Sequence, residues 1–291
     1  MKESEARTLA ALPLILLIAA AIAWAGSQGG RSWHSVPAFA LGAATAFALN
    51  WLAFVPAYLR QTERFYDLTG SLTYLALVLL ALATGPPDSR TLLLALLVTV
   101  WALRLGSFLF TRIRREGADR RFDAIKPSWP RFLLAWTLQA LWVLVTLSCA
   151  LAAMTSPPQP LGASTFVGTL VWITGFSLEA IADEQKRRFR RDAANAGRFI
   201  RSGLWAWSRH PNYFGEIVLW IGIALIALPA LSGWQHLTLI SPVFVYVLLT
   251  RISGVPMLER RAEKAWGTQP EYRAYRDSTP VLVPRPPHRS P

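Results

Sequence analysis

Residues Phe132–Met154, FLLAWTLQALWVLVTLSCALAAM, contain no charged side chain. A helix needs about 20 mostly apolar residues to cross the roughly 30 Å hydrocarbon core of a bilayer. The span must be helical because lipid offers no hydrogen-bond partner to an unpaired backbone group. This stretch therefore predicts a transmembrane helix, and it points to a membrane fold for the chain.

Seven more stretches of similar length and apolarity lie on either side of it. They are Leu9–Ala25, Val36–Leu59, Leu68–Gly85, Thr91–Phe110, Leu161–Ala182, Phe214–Leu231 and Leu237–Val255. The first stretch also fits a signal peptide, but we interpret it as a span because no domain that needs export follows it. We therefore expect an all-α polytopic membrane bundle of about seven to eight transmembrane helices.

The charge pattern supports a membrane protein and predicts its orientation. Only 16% of the residues are charged, and the net charge is +13, whereas about a quarter of the residues in a soluble domain are charged. The basic residues are concentrated in residues 112–131, in residues 186–209 and after Val255. The positive-inside rule places these segments, and with eight spans both termini, in the cytoplasm. With seven spans the N-terminus lies outside.

Topology and contact with anionic membrane lipids explain the positive charge, so no nucleic-acid partner is expected. The single cysteine, Cys149, argues against a disulfide framework and a cysteine-ligated metal site. The four histidines are scattered, so no metal is expected. We expect one domain over residues 1–291, with N-terminal spans over 1–60, a core over 67–284 and a proline-rich tail over 285–291. The sequence leaves the oligomeric state open.

Ionisable side chains near or inside a membrane span are costly and mark candidate sites. At the mouth of the third span, Asp67 and Tyr74 are seven residues apart and share one helical face, with Tyr66 next to Asp67. A phenol held by a carboxylate can hydrogen-bond a carbonyl oxygen and stabilise the charge that develops there. The pattern predicts a proton-donating site. The alternative is that Asp67 caps the helix and the tyrosines are interfacial aromatics.

A second group of polar residues predicts an anion site. Arg104 lies about two turns inside the fourth span, where it either snorkels to the interface or binds an anion in the protein interior. At the end of the sixth span, one helical stripe carries Glu179, Asp183, Lys186 and Arg190. Arginines there can hold the phosphates of a dinucleotide, and carboxylates can hold its ribose or amide groups.

The run Ser208–Glu216, SRHPNYFGE, begins the seventh span, and Pro211 suits the first turn of its helix. With the acidic–basic stretch before it and the tail after it, the run resembles the steroid 5-alpha-reductase family, most closely its bacterial branch. The resemblance covers about Asp67 to Pro284. The Arg-His-Pro part is shared with membrane methyltransferases of the isoprenylcysteine carboxyl methyltransferase type, whereas the following Asn and Gly-Glu are more specific to the reductases.

The resemblance implies a seven-span core, NADPH in a pocket open to the cytoplasm, and hydride transfer to the β-carbon of an enone in a lipophilic substrate from the bilayer. It implies that Asn212 and Glu216 hold the nicotinamide end and that Asp67 occupies the position of the catalytic glutamate. The other residues that it implies at the cofactor are Arg104, Arg115, Asp183, Arg190 and Arg198. We complete the expected cofactor-binding set with Glu179, Arg209, His210, Tyr213 and Glu259. The resemblance also implies a bacterial inner-membrane protein.

Two positions depart from the family pattern. Trp101 stands where the steroid enzymes have the tyrosine that meets the substrate carbonyl, so Tyr74 or Tyr66 is expected to supply the hydroxyl. Glu179 stands where they have an asparagine. Both departures bear more on the substrate than on the cofactor.

Two other functions stay open. One is a membrane methyltransferase that uses S-adenosylmethionine, a cofactor that lacks a pyrophosphate and so explains a second arginine-rich loop less well. The other is a lipid-binding or scaffolding protein without enzymatic activity.

Overall fold

The computed structural model describes residues 3–116, 119 and 122–287, except for the side chains of residues 3, 4, 6, 7 and 112–116. The helices are α1 (Glu3–Ser27), α2 (Ala38–Leu59), α3 (Tyr66–Ala83), α4 (Ser89–Glu116), α5 (Trp129–Met154), α6 (Ala163–Arg191), α7 (Pro211–Ala227), α8 (Ile240–Val247), α9 (Gly254–Trp266) and α10 (Pro270–Ser278). The strands β1 (Ser32–Trp33) and β2 (Val36–Pro37) form a short antiparallel ribbon between α1 and α2.

Within these described residues, eight helical segments are long and apolar enough to cross a membrane. They correspond one to one with the eight predicted stretches, so the prediction of an all-α polytopic membrane protein is confirmed. The predicted orientation stays a prediction.

The eighth span differs from the continuous helix predicted over Leu237–Val255. It begins as a 3₁₀ helix at Gly233–Leu239, continues as α8, and passes through a π-helical turn at Leu248–Ile252 before α9. A π turn inserts an extra residue and is rare outside functional or strained positions. Apolar periodicity does not reveal such a turn, because the one extra residue leaves the length and the overall apolarity of the span unchanged.

The chain divides into two compact units. Unit 1 comprises the chain up to Thr165 together with Ile226–Ser241, and unit 2 comprises Phe166–Leu225 together with the chain from Pro242 onward. The expectation of one reductase domain stays a prediction.

Helix α5 is the centre of unit 1 and contacts α1, α2, α3 and α4. Every residue from Val143 to Met154 is buried. The hydroxyl groups in this core have carbonyl partners: Ser148 Oγ donates to the Thr238 oxygen at 2.8 Å, and Ser241 Oγ donates to the Thr146 oxygen. Buried polar groups are tolerated in an apolar core when they are hydrogen-bonded in this way.

Unit 2 contains most of α6 and α7, together with α9 and α10. Helix α6 runs beyond the predicted span end at Ala182 and continues to Arg191, so the apolar span and the acidic–basic stretch belong to one helix. Helix α7 begins at Pro211, as the first-turn preference of proline predicts.

Candidate functional site

Glycines bring α6 and α7 into close contact in unit 2. A Cβ atom built on Gly215 would lie 2.6 Å from the Glu179 nitrogen and 2.6 Å from the Gly175 oxygen. A Cβ atom on Gly222 would lie 2.6 Å from the Trp172 nitrogen. Such backbone contacts exclude any side chain, and small residues allow this approach between membrane helices.

This close contact brings together the predicted carboxylate and amide groups. Asn212 Nδ2 donates a hydrogen bond to Asp183 Oδ1 at 3.1 Å. Glu179, one turn before Asp183, is 2% exposed, whereas Glu216, one turn after Asn212, is half-buried. The buried Oδ1 atom of Asn212 accepts no hydrogen bond in the described part of the chain. The amide group therefore has a free acceptor.

A cavity of about 320 Å³ lies in the same unit, between the end of α6, the segment after it, and helices α9 and α10. Among the described residues, its lining holds five cationic side chains and one carboxylate. They are Lys186, Arg190, Arg198, Arg209, Arg261 and Glu259. The lining also contains several aromatic side chains and His210. The volume is in the range of small-molecule pockets, and the excess of cations favours an anionic ligand.

Glu259 is an ion-pairing residue in this cavity. It forms a salt bridge with Arg209, and its Oε1 atom lies 2.7 Å from His210 Nε2. Arg209 Nε is buried and makes no hydrogen bond within the described structure. One buried donor of the guanidinium group therefore has no partner among the described groups, while the carboxylate holds the group in place.

Burial lowers the pKa of His210, and the hydrogen bond that His210 donates to the Glu259 carboxylate only partly opposes this effect. Its ring stacks on Tyr213, with the ring centroids 5.7 Å apart. Buried His210 Nδ1 also lacks a hydrogen-bond partner among the described groups. The imidazole is therefore held neutral near pH 7, with one nitrogen atom unused.

The C-terminal segment supports the floor of the cavity. The Arg209 nitrogen donates to the Pro280 oxygen, and the Arg285 nitrogen donates to the Trp207 oxygen, both at 2.9 Å. Tyr275 on α10 donates its hydroxyl to the Trp205 oxygen at 2.7 Å, and burial raises the pKa of this phenol. These contacts fix the loop that carries Arg209 and His210.

The structure thus divides the predicted cofactor set of unit 2 into two groups. Arg190, Arg198, Arg209, His210 and Glu259 line the cavity, whereas Glu179, Asp183, Asn212, Tyr213 and Glu216 lie outside its lining, on α6 and α7.

Sequence reasoning missed several residues of the cavity. Two of them are Trp205, whose ring lies 4.3 Å from Lys186 Nζ, and Phe199, which contacts three aromatic side chains of α9 and α10. It also missed the glycine contact between α6 and α7. The signal was present, because Gly168 and Gly175 on α6, and Gly215 and Gly222 on α7, are each seven residues apart.

In unit 1, the predicted proton-donating residues lie on α3. The N-cap residue of α3 is Phe65, and Asp67 lies inside the first turn, so the interpretation of Asp67 as the helix cap is wrong. Tyr74 is half-buried, and its ring packs edge-on against Trp101 of α4, with the centroids 5.1 Å apart. The tryptophan that departs from the family pattern therefore contacts the candidate tyrosine.

Tyr66 is anchored in a core cluster. Its hydroxyl donates to the Ala135 oxygen at 3.0 Å, and its ring contacts Phe122 and Trp136. Burial in this cluster contradicts the interpretation of Tyr66 as an interfacial aromatic. Its hydroxyl serves helix packing here.

The two arginines predicted on α4 lie in unit 1. Arg104 is half-buried, one turn after Trp101. The side chain of Arg115 lies outside the described residues.

The protein is thus a polytopic helical membrane protein with a cation-lined cavity of small-molecule size. Residues 53–279 match the family model described as "Protein of unknown function (DUF1295)", so the chain belongs to this family. The family is related to the steroid 5-alpha-reductases, which confirms the resemblance at the level of the family.

Two curated relatives give the context of the chain. An uncharacterized protein of Schizosaccharomyces pombe is 26% identical over 259 residues, covering 77% of this chain and 72% of that protein. The 3-oxo-5-alpha-steroid 4-dehydrogenase 1 of Bos taurus is 32% identical over 85 residues, covering 29% of this chain and 31% of the bovine protein. No solved structure matches.

Proposed function

We propose that the protein is an integral membrane reductase that uses NADPH to reduce the electron-poor C=C bond of a lipophilic enone. The observation that carries the proposal is the cavity of unit 2, with five cations and one carboxylate among its described lining residues. The similarity to the bovine dehydrogenase supports oxidoreductase chemistry.

The residues of unit 2 fit a phosphorylated dinucleotide. Arg190, Arg198 and Arg209 supply charge-assisted hydrogen bonds for phosphate oxygens. The free acceptor on Asn212 suits the N–H group of a carboxamide, and Glu216 is on the same face of α7. When bound, NADPH supplies the hydride for the β-carbon of the enone.

The charge of the cavity argues against the methyltransferase alternative. S-adenosylmethionine carries a sulfonium cation and an ammonium group against one carboxylate, so its net charge is positive. Five cations would repel it, whereas they attract the phosphates of NADPH.

The proton is assigned to Tyr74, with Asp67 on the same face of α3. A phenol there donates a hydrogen bond to the enone oxygen as negative charge develops on it, and the carboxylate orients the phenol. Tyr66 is not chosen, because its hydroxyl already donates to the Ala135 oxygen. In this proposal the cavity faces the cytoplasm, where NADPH is available, and the substrate comes from the bilayer.

The first experiment measures ligand binding by thermal shift of the detergent-purified protein, titrated with NADPH and with S-adenosylmethionine. A ligand at a hundredfold excess over its Kd stabilises a protein by about 2.7 kcal/mol. We expect NADPH to raise the melting temperature and Arg190→Gln to weaken NADPH binding by about tenfold, the effect of one charge-assisted hydrogen bond. Arg191→Gln is the matched control, because Arg191 is exposed and does not line the cavity.

A shift with S-adenosylmethionine alone would overturn the proposal. So would equal effects of the Arg190 and Arg191 substitutions, since the binding would then not involve the cavity.

The second arm measures the reaction with two probes, progesterone as a steroid enone and β-ionone as an isoprenoid enone. We expect a product two hydrogens heavier, with deuterium from 4-deuterated NADPH on the β-carbon. Tyr74→Phe and Asp67→Asn should lower kcat by about 10²-fold or more, the usual contribution of a general acid. Tyr246→Phe, an exposed tyrosine on α8, is the control. Full activity in both α3 variants would refute the proton-donor assignment.

A further inference from the structure

Helix α3 carries its candidate proton donors on one face and is hydrogen-bonded to neighbouring helices through the adjacent face. Residues four and seven positions apart lie on one side of a helix. The donor stripe is Asp67, Ser71 and Tyr74, and the anchor stripe is Tyr66, Gly70 and Thr73. A rotation of α3 by one residue, about 100°, would put the anchor stripe in the place of the donor stripe.

The first hydrogen-bonded contact lies at the start of α3 and involves Gln139 of α5. Gln139 Nε2 donates a hydrogen bond to the Tyr66 oxygen at 2.9 Å. The Tyr66 hydroxyl donates to the Ala135 oxygen, one turn earlier on α5. A Cβ atom on Gly70 would lie 2.6 Å from Gln139 Nε2, so a larger residue would displace this amide from its observed position.

The second hydrogen-bonded contact lies two turns further along α3 and involves Asn50 of α2. Asn50 Nδ2 donates to Thr73 Oγ1 at 3.3 Å and to the Ala46 oxygen at 2.9 Å. Asn50 is fully buried, and Thr73 immediately precedes Tyr74 in the chain.

Both amides are costly in their setting. Gln139 is 7% exposed and Asn50 is 0% exposed, and among the described groups Asn50 Oδ1 and Gln139 Oε1 accept no hydrogen bond. An apolar side chain at either position would avoid this desolvation. Only the NH₂ group of each amide contributes a hydrogen bond to α3.

The donor stripe is left facing α4. A Cβ atom on Gly106 would lie 2.7 Å from the Ser71 Cβ atom, and the Tyr74 ring meets the Trp101 ring edge-on. Helices α2 and α5 therefore hold α3 through the anchor stripe while α4 packs against the donor stripe.

We propose that Asn50 and Gln139 are positioning residues, which fix the rotation of α3 and so hold Tyr74 and Asp67 in register for proton donation. This inference rests on the proposed reductase function. In lipid no water competes for the amide donors, so the two hydrogen bonds persist and define one rotational state of the helix.

The test compares Asn50→Leu, Gln139→Leu and Thr73→Val with Thr45→Val, the control on α2, whose hydroxyl bonds only within its own helix, to the Leu41 oxygen. For progesterone and β-ionone we expect a kcat at least tenfold lower in the three test variants, with an unchanged KM for NADPH. Thr73→Ser keeps the acceptor hydroxyl and should restore most of the kcat that Thr73→Val loses.

Hydrogen–deuterium exchange read by mass spectrometry supplies a measurement that needs no activity. We expect faster exchange in peptides of Tyr66–Ala83 in the test variants, and unchanged exchange in peptides of α6. Normal exchange in α3, or a normal kcat despite faster exchange, would overturn the positioning role. A wild-type protein that binds NADPH but reduces neither probe would instead count against the proposed function, and the exchange measurement would still decide whether the two amides hold α3.

Discussion

The two units of the chain hold their polar groups in different ways. In unit 1, the contacts that hold α3 are neutral hydrogen bonds, those of Asn50 with Thr73 and of Gln139 with Tyr66. In unit 2 the central contacts are ionic: Glu259 pairs with Arg209 and His210 beside a cationic cavity.

The two kinds of contact respond to different solution conditions. Neutral hydrogen bonds in a lipid-embedded core do not respond to salt, whereas charges near water are screened within about 10 Å at 0.1 M salt. Unit 1 therefore has the properties of a rigid frame for α3. In unit 2, charged side chains are expected to attract the ligand, so ligand binding there should weaken as ionic strength rises.

The largest effect is expected from Gly215→Val, which breaks unit 2 at the contact of α6 and α7. Its side chain has no room against the backbone of Glu179 and Gly175. Overpacking typically costs about 1–3 kcal/mol, and a backbone obstacle places this variant at the upper end. We expect a lower melting temperature in detergent and loss of the NADPH-induced shift.

Gly162→Ala is the control, because a Cβ atom there meets nothing within 4 Å. If Gly215→Val kept both the wild-type melting temperature and the NADPH affinity, NADPH binding in unit 2 would not depend on this helix contact. The contrast between the units would then lose its structural basis.

An intermediate effect is expected from pH, which should act on unit 2 through His210. Burial lowers the pKa of this side chain below its ordinary value of about 6.5. As the pH falls through 6.5, the unfolded chain binds a proton that the folded chain does not, so stability falls until the pH reaches the lowered folded pKa. The loss is at most about 1.4 kcal/mol for each pH unit of that window.

The charged groups that face His210 are Glu259, Lys186 and Arg209. Thermal unfolding of the protein without added NADPH between pH 5 and pH 8 measures the effect. His210→Gln should flatten the profile over this window, whereas His236→Gln, an exposed histidine in unit 1, should leave it unchanged. Identical profiles for the two variants would show that neutral burial of His210 is not what makes unit 2 sensitive to pH.

The spans could be predicted from the sequence, because unpaired backbone groups are costly in lipid and a long apolar segment therefore has to form a helix. It also indicated the polar residues of α6 and α7, since charges at the end of a span stand out against their neighbours. Asp183 and Asn212 indeed share a hydrogen bond. Such predictions rest on local pattern alone.

The missed features depend on contacts between distant segments. Nothing local distinguishes Phe199 or Trp205 from the other aromatic residues, and their part in the cavity depends on α9 and α10. Likewise, Tyr66 and Tyr74 are equivalent candidates in the sequence. The hydrogen bond that engages the Tyr66 hydroxyl goes to the Ala135 carbonyl, 69 residues away along the chain, so no local pattern reveals it.

The smallest effect is expected from Ser208→Ala, which loosens the C-terminal segment without altering the charge of unit 2. Ser208 Oγ donates to the Leu282 oxygen at 2.8 Å and accepts from the His210 nitrogen at 3.1 Å. Two backbone hydrogen bonds still hold the segment, so the loss corresponds to about 0.5–1.5 kcal/mol. We expect NADPH binding, measured by titration, to weaken by about two- to tenfold.

Ser278→Ala is the matched control, because this exposed hydroxyl bonds only to carbonyl oxygens of its own helix. A Ser208 effect that persists at high salt would show that unit 2 also relies on short neutral contacts to hold Arg209 and His210 in place. If Ser208→Ala and Ser278→Ala bind NADPH equally well, the charges of unit 2 alone determine the NADPH affinity. The contrast with the neutral hydrogen bonds that hold α3 in unit 1 then becomes sharper.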